Sequence, residues 1–187
     1  MGEGALTPSP SPKGRGEELQ VTQEGTGKPW LTVQSLAAVP LKAPFSSGYR
    51  ITRTITPIEQ KTKDAYSRGD VLRIKLDIDA QTDMTWVVVS DPIPGGASVL
   101  GTGLGRDSQI ATSGEKREGW VWPTYEEKSF EAYRSYYRYV PKGKFSIEYT
   151  VRLNNVGTFG LPPTRVEAMY APEMFGEVPN AQVEVKP

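Results

Sequence analysis

Apolar and polar residues alternate along much of the chain after residue 48. Between residues 71 and 79 leucine and isoleucine alternate with charged residues, and residues 145–153 follow a similar pattern. Because successive side chains of a β-strand point to opposite faces of the sheet, both segments are predicted to be strands with one buried and one solvated face. Residues 50–56 alternate too, although the charged Arg53 interrupts their apolar face.

Five further segments are short and favour strands through their β-branched and aromatic residues. They cover residues 31–36, 85–90, 133–140, 165–170 and 181–185. Proline- and glycine-rich turns separate several of them, including a predicted turn at 91–96, and helical periodicity is nearly absent. Short strands joined by such turns predict an all-β chain, folded as an antiparallel two-sheet β-sandwich that buries one face of each sheet against the other.

Two parts of the chain lack this alternation. In residues 1–29 proline alternates with serine or threonine, and scattered glycines follow. Such a segment cannot bury enough apolar surface to offset the entropy of ordering it, so a disordered low-complexity leader is predicted. Residues 97–128 contain closely spaced glycines and a charged cluster, and a long irregular loop is predicted there.

Composition excludes several classes of function. The chain has no cysteine and no histidine, and its 22 basic residues equal its 22 acidic ones. It therefore lacks thiolate nucleophiles, the commonest metal ligands and the usual general base near neutral pH. A balanced charge provides no broad basic surface for nucleic acid, and no run approaches the ~20 apolar residues of a membrane span. We expect no enzyme, no catalytic residue, no metal and no cofactor, and no signal peptide is visible after Met1.

Three acidic or glycine-rich motifs give little support for a binding or catalytic site. Residues 101–105 lack a third glycine at the spacing that a dinucleotide-binding loop requires, and no amphipathic helix follows them. Residues 77–83 resemble the start of a calcium loop but lack the glycine and glutamate that such a loop requires, so solvated carboxylates are expected there. Glu126, Glu127 and Glu131 could be paired catalytic carboxylates, but spacing along the chain does not establish the separation that such chemistry needs.

An aromatic cluster between residues 120 and 139 is more informative. Tyrosines occupy both odd and even positions between residues 133 and 139, so they cannot all point to the same face of a strand, and some rings are predicted to lie outside the core. Exposed aromatic residues are enriched at recognition surfaces, and Trp120, Trp122, Tyr125 and Tyr136 are candidates for such a surface. The same rings could instead cover a sheet face or fix the long loop, and both readings stay open.

The C-terminal part of the sequence resembles a known family. Residues 91–96, Asp-Pro-Ile-Pro-Gly-Gly after a valine-rich strand, are similar to a turn in the last domain of bacterial alpha-2-macroglobulins. The run at 162–176, Pro-Pro-Thr-Arg-Val-Glu-Ala-Met-Tyr-Ala-Pro-Glu-Met-Phe-Gly, resembles the C-terminal signature of that family. The resemblance implies a macroglobulin- or immunoglobulin-like β-sandwich over residues 47–187. It also implies that residues 30–46 are a strand like the one that completes the preceding CUB-type domain.

The resemblance further implies a function. Full-length relatives are periplasmic protease traps, in which cleavage of a bait region lets a thioester capture the attacking protease. The terminal domain is noncatalytic, packs against the thioester region and helps to shield it from water. Met169 and Tyr170 match the segment that contributes to the shield. The implied partner is the remaining macroglobulin polypeptide or a complex with the target protease.

Departures from the family pattern define the alternatives. Without cysteine the chain has neither a thioester nor a lipid attachment site. We therefore expect a terminal fragment of the architecture, either a split product that docks onto the remainder or a truncated remnant. The alternative is a freestanding β-sandwich that binds carbohydrate or protein through its aromatic patch.

Overall fold

A computed structural model describes residues 22, 25–28, 30, 32, 40–101 and 112–187. The chain divides into two units, residues 1–38 and 39–187, and the second unit is described below. Apart from a few positions, the predicted strand at 31–36 and the predicted leader lie outside the described residues. The domain boundaries expected at residues 29 and 46 stay predictions.

The described residues of the second unit form fourteen β-strands. They are β1 (Phe45–Ser47), β2 (Tyr49–Glu59), β3 (Tyr66–Ser67), β4 (Val71–Ala80), β5 (Met84–Pro92), β6 (Ser98–Val99), β7 (Arg117–Glu118), β8 (Tyr125–Lys128), β9 (Ala132–Val140), β10 (Gly143–Arg152), β11 (Gly157–Phe159), β12 (Thr164–Ala168), β13 (Ala171–Val178) and β14 (Val183–Lys186).

These strands form three sheets. The six-stranded sheet has the order β1-β13-β12-β5-β9-β8. The five-stranded sheet has the order β2-β4-β10-β6, with β7 also paired to β10. The strand pairs inside both sheets are antiparallel. A three-stranded sheet, β11-β14-β3, contains the parallel pair β14–β3.

The six-stranded and five-stranded sheets share one core, and the predicted antiparallel β-sandwich is thereby confirmed. The alternation in β4 and β10 sets their inner faces, where Leu76 lies directly opposite Ile147 and both are buried. Tyr133 of β9 stacks on Tyr149 of β10 across the two sheets, with ring centroids 4.2 Å apart. Each fully buried aliphatic side chain contributes about 1.5–3 kcal/mol relative to an exposed one, so the alternation decides which face turns inward.

Two predicted features differ from the structure. The turn expected at 91–96 begins later, because β5 continues through Pro92 and buries the side chain of Asp91 completely. The region expected to be an irregular loop, residues 97–128, contributes the short strands β6, β7 and β8. Part of this region crosses the outer face of the five-stranded sheet, where Glu115 accepts a hydrogen bond from Thr150. Thr150 is consequently buried although its parity in β10 assigns it to the solvated face.

The long, strongly apolar helix that a membrane span requires is not found among the described residues.

Candidate functional site

A groove of about 630 Å³ lies on the outer face of the six-stranded sheet, the side turned away from the core. Strands β9, β5 and β12 run side by side beneath it. Their register places Tyr136 opposite Val88, and Val88 opposite Glu167, so these three outward side chains form one row. The small side chains of Val88 and Ser90 on β5 lie between larger ones on β9 and β12, and this difference in size makes the face concave.

Met169 and Tyr170 form the tight turn at one end of this groove. β12 ends at Ala168 and β13 begins at Ala171, so the two residues between them are displayed at the tip of a hairpin. Met169 lines the groove and is 49% exposed, whereas Tyr170 is 79% exposed. The two candidates carried over from the family signature are therefore large apolar side chains held outside the core.

Trp86 of the neighbouring strand β5 contacts both residues of this turn. The Met169 backbone N–H donates a hydrogen bond of 2.8 Å to the Trp86 carbonyl, which extends the β5–β12 pairing by one position. The Trp86 ring meets the Tyr170 ring edge-on, with centroids 6.3 Å apart and planes at 89°. The sequence did not single out Trp86, because a tryptophan inside a predicted strand is an ordinary strand residue.

The two arginines that line the groove are paired with carboxylates of the same domain. Arg165 donates hydrogen bonds to Glu167 at 2.6 Å and Glu177 at 2.5 Å, and its guanidinium lies 4.6 Å from the centre of the Phe175 ring. The pKa of Arg165 is raised: burial alone would lower the pKa, and the bonds to the two carboxylates outweigh that effect. Arg134 donates to Glu127 at 2.8 Å in the same way.

The predicted aromatic candidates are divided between two places. Tyr136 lines the groove, and its ring centroid lies 5.9 Å from that of Tyr125 on the neighbouring strand β8. Its hydroxyl donates a hydrogen bond of 3.1 Å to Glu127. Trp120 and Trp122 lie in the connection between β7 and β8, outside the groove lining, and Trp120 is 95% exposed. Of the four candidate rings, the groove lining therefore includes Tyr136, and the role of all four in recognition stays a prediction.

A buried polar network holds the strands beneath the groove in place. Asp91 at the end of β5 accepts hydrogen bonds from Arg53 of β2, from the Tyr149 hydroxyl of β10 and from the Thr164 hydroxyl of β12. Burial, followed by the negative charge of Asp91, raises the pKa of Tyr149 well above its ordinary value. One carboxylate thus connects both sheets, and its role is structural because it has no exposed surface.

Glu131 lines the groove and is exposed, whereas Glu126, Asp77 and Asp83 are engaged in local contacts. Glu126 accepts hydrogen bonds from Arg117 and from the Tyr133 hydroxyl. Asp77 pairs with Lys75 at 3.1 Å, and Asp83 accepts hydrogen bonds from the Tyr139 hydroxyl and the Lys142 backbone. Within residues 40–101 and 112–187, these acids do not gather into a group of three or more that could hold a metal ion.

Comparisons with known proteins identify relatives of this arrangement. A family model described as the bacterial alpha-2-macroglobulin MG10 domain matches residues 48–173. An alpha-2-macroglobulin homolog of Nostoc sp. is 25% identical over 152 residues, which are 75% of this chain and 8% of that protein. Native Escherichia coli alpha-2-macroglobulin, solved by cryo-EM, has a similar fold, with a TM-score of 0.62 and 19% identity over 80% of this chain and 10% of that one.

A crystal structure of the E. coli protein from domain MG7 to the C-terminus gives a TM-score of 0.61 at 18% identity and covers 79% of this chain and 25% of that one. At these identities the solved structures establish a common fold. The chain spans no more than about a tenth of the full-length relatives it matches.

Proposed function

The chain belongs to the family of bacterial alpha-2-macroglobulin MG10 domains, and from this premise we propose that it is the noncatalytic terminal domain of a protease inhibitor of that kind. In this role it packs against the thioester region of the larger molecule and shields that region from water. The observation that carries the proposal is the exposed turn of Met169 and Tyr170 at the end of the groove.

The chemistry of this turn suits a shield. A thioester is lost when water or an amine attacks its carbonyl carbon, so protection requires a side chain that excludes solvent over a large area. A tyrosine buries about 150–250 Å² and keeps a hydroxyl that can bond to a polar neighbour. Tyr170 can bury most of that area on binding a partner, because 79% of the residue is exposed to solvent.

The groove beside the turn supplies the rest of the proposed interface. Pro162, Pro163 and Pro172 border it and have no backbone N–H to desolvate, and Met169 adds a flexible apolar side chain. Because Arg165 is already paired with carboxylates of the same domain, association would depend on shape and apolar contact rather than on charge attraction.

The proposed partner is the remaining macroglobulin polypeptide, alone or in a complex with a target protease. Support comes from the length of the relatives, since about nine-tenths of a macroglobulin lies outside the matched region. We place the domain in the periplasm on the basis of the family. A family match over residues 48–173 does not favour a freestanding carbohydrate- or protein-binding module.

The test uses this chain and the macroglobulin polypeptide that precedes it in the parent protein. We expect the two to elute together from gel filtration at micromolar concentration, and the chain to slow the release of the thioester thiol by methylamine. Tyr170→Ala should lose most of the protection, whereas the matched control Trp120→Ala should keep it. Separate elution, or equal thiol release with and without the chain, would overturn the proposal.

A further inference from the structure

Trp86 adopts a backbone conformation that large side chains rarely adopt. Among the described residues, Asp64 and Trp86 are the non-glycine residues with positive φ, at 60° and 54°. Aspartate tolerates this left-handed region because its short side chain can bond locally, but an indole gains nothing comparable and the conformation costs free energy. A strained tryptophan persists only where its surroundings determine its position, and such residues cluster at binding sites.

The register of the sheet does not account for the strain. Thr85 lies opposite Tyr139 and Val87 lies opposite Tyr137, so the register between β5 and β9 is the same on both sides of Trp86, although Trp86 itself has no paired residue in β9. The left-handed residue therefore produces neither a turn nor a change of register. Burial does not account for it either, because Trp86 is 46% exposed.

The contacts of Trp86 are directed at the next hairpin. Its carbonyl accepts the Met169 N–H, and its ring packs edge-on against Tyr170. Two consecutive residues of one exposed turn are thus held by one residue of the neighbouring strand, the first through the main chain and the second through the ring. The residue with the strained backbone, Trp86, is thus the same residue that contacts the turn.

We infer that Trp86 is a positioning residue, which holds the Tyr170 ring in the orientation needed for docking onto the larger macroglobulin polypeptide. This inference rests on the proposed function. An exposed tyrosine that samples several rotamers must be ordered when it binds, and this cost weakens association. A ring fixed beforehand by Trp86 avoids most of that cost.

The test distinguishes the role of the Trp86 ring from that of the Trp86 backbone. Trp86→Gly removes the ring and relieves the left-handed strain, and Trp86→Asn removes the ring with a residue that tolerates positive φ. In both variants the main-chain bond to Met169 can remain. We expect an unchanged or raised Tm. In NMR spectra the Tyr170 ring signals should lose the ring-current shift caused by the indole, and the side chain should average over several rotamers.

Docking onto the preceding macroglobulin polypeptide should weaken about fivefold to tenfold in both variants, in line with the cost of ordering one side chain. In a Tyr170→Ala background the same substitutions should cause no further loss, because the ring they position is absent. Trp120→Ala, which removes an equally large exposed ring, should leave docking unchanged.

Two outcomes overturn the inference: a Tyr170 NMR signal that is unchanged without the Trp86 ring, or docking losses that multiply in the double variant. If the unsubstituted chain fails to dock, the proposed function fails as a whole. The NMR measurement on the chain alone then still decides whether Trp86 orders Tyr170.

Discussion

Arg53 of β2 and Asp91 of β5 form a buried ion pair that joins the two sheets, with the Arg53 Nε atom 2.9 Å and 3.0 Å from the two carboxylate oxygens. The charged residue that interrupts the apolar face of β2 therefore points inward to a partner. Burial lowers the pKa of Arg53, but the charges and hydrogen bonds of Asp91 and Tyr149 together outweigh that effect, and the pKa is raised.

Removing one member of this pair should strongly destabilise the domain. Asp91→Ala leaves the Arg53 guanidinium buried without its counter-charge, and breaking a buried pair in this way typically costs about 3–5 kcal/mol. Urea denaturation monitored by fluorescence measures the loss. The double variant Arg53→Met with Asp91→Leu should recover part of it, because it leaves no isolated charge, although the Tyr149 and Thr164 hydroxyls still lose their acceptor. Equal stability of Asp91→Ala and the original chain would contradict the assigned role.

The two faces of the five-stranded sheet should respond differently to an added carboxylate. Ile147→Asp buries an unpaired charge in the core and should unfold the domain, whereas Thr54→Asp lies exposed beside Lys75 and should be tolerated. Thr150→Asp should also be destabilising, because Thr150 is buried and its hydroxyl lies 2.7 Å from a Glu115 oxygen. Burial already raises the pKa of Glu115, and a second carboxylate would raise that pKa further. Circular dichroism and Tm distinguish the three cases, and tolerance of Ile147→Asp would mean that the register is wrong.

Met169 should matter for docking and not for folding. Met169→Asp places a charge in the proposed apolar contact and should weaken association with the macroglobulin polypeptide at least about tenfold, or about 1.4 kcal/mol. Its Tm should stay within a few degrees, because the side chain is half exposed. Met169→Leu is the matched control and should bind about as well as the original chain, as isothermal titration calorimetry can show. Equal binding by the aspartate and leucine variants would remove Met169 from the interface.

Docking should depend only weakly on salt. The Arg165 guanidinium is neutralised by Glu167 and Glu177, and Arg134 by Glu127, so neither arginine offers an unpaired positive charge at the groove. Raising the ionic strength from ~0.05 to ~0.3 M shortens the range of charge interactions about 2.5-fold, yet the dissociation constant should change by less than about threefold. A steep dependence would point to an interface elsewhere on the domain.

The alternation of residue types predicted most of the β-sandwich because it records directly which side of a strand is buried. It also marked Arg53 as an anomaly, but the partner Asp91 lies 38 residues away along the chain, and no local pattern connects them. Tertiary pairing likewise decides that Thr150 is covered by the segment around Glu115.

The candidate site was predicted less completely. Met169 and Tyr170 came from the family signature, and the structure places them together at an exposed turn. Trp86 could not be predicted, because the left-handed backbone that distinguishes it is a property of the folded strand and leaves no mark on the residue type. The assignment of all these residues to docking remains a proposal.

Because Asp91 of β5 bonds simultaneously to side chains from β2, β10 and β12, strands β5 and β12 cannot separate from the core while that carboxylate keeps its partners. We therefore expect local fraying at the hairpin tips and peripheral strands rather than in β5 and β12. Amide protons at the centres of β5 and β12 should exchange with deuterium only through opening of the whole sandwich, so the floor of the groove persists as long as the domain does.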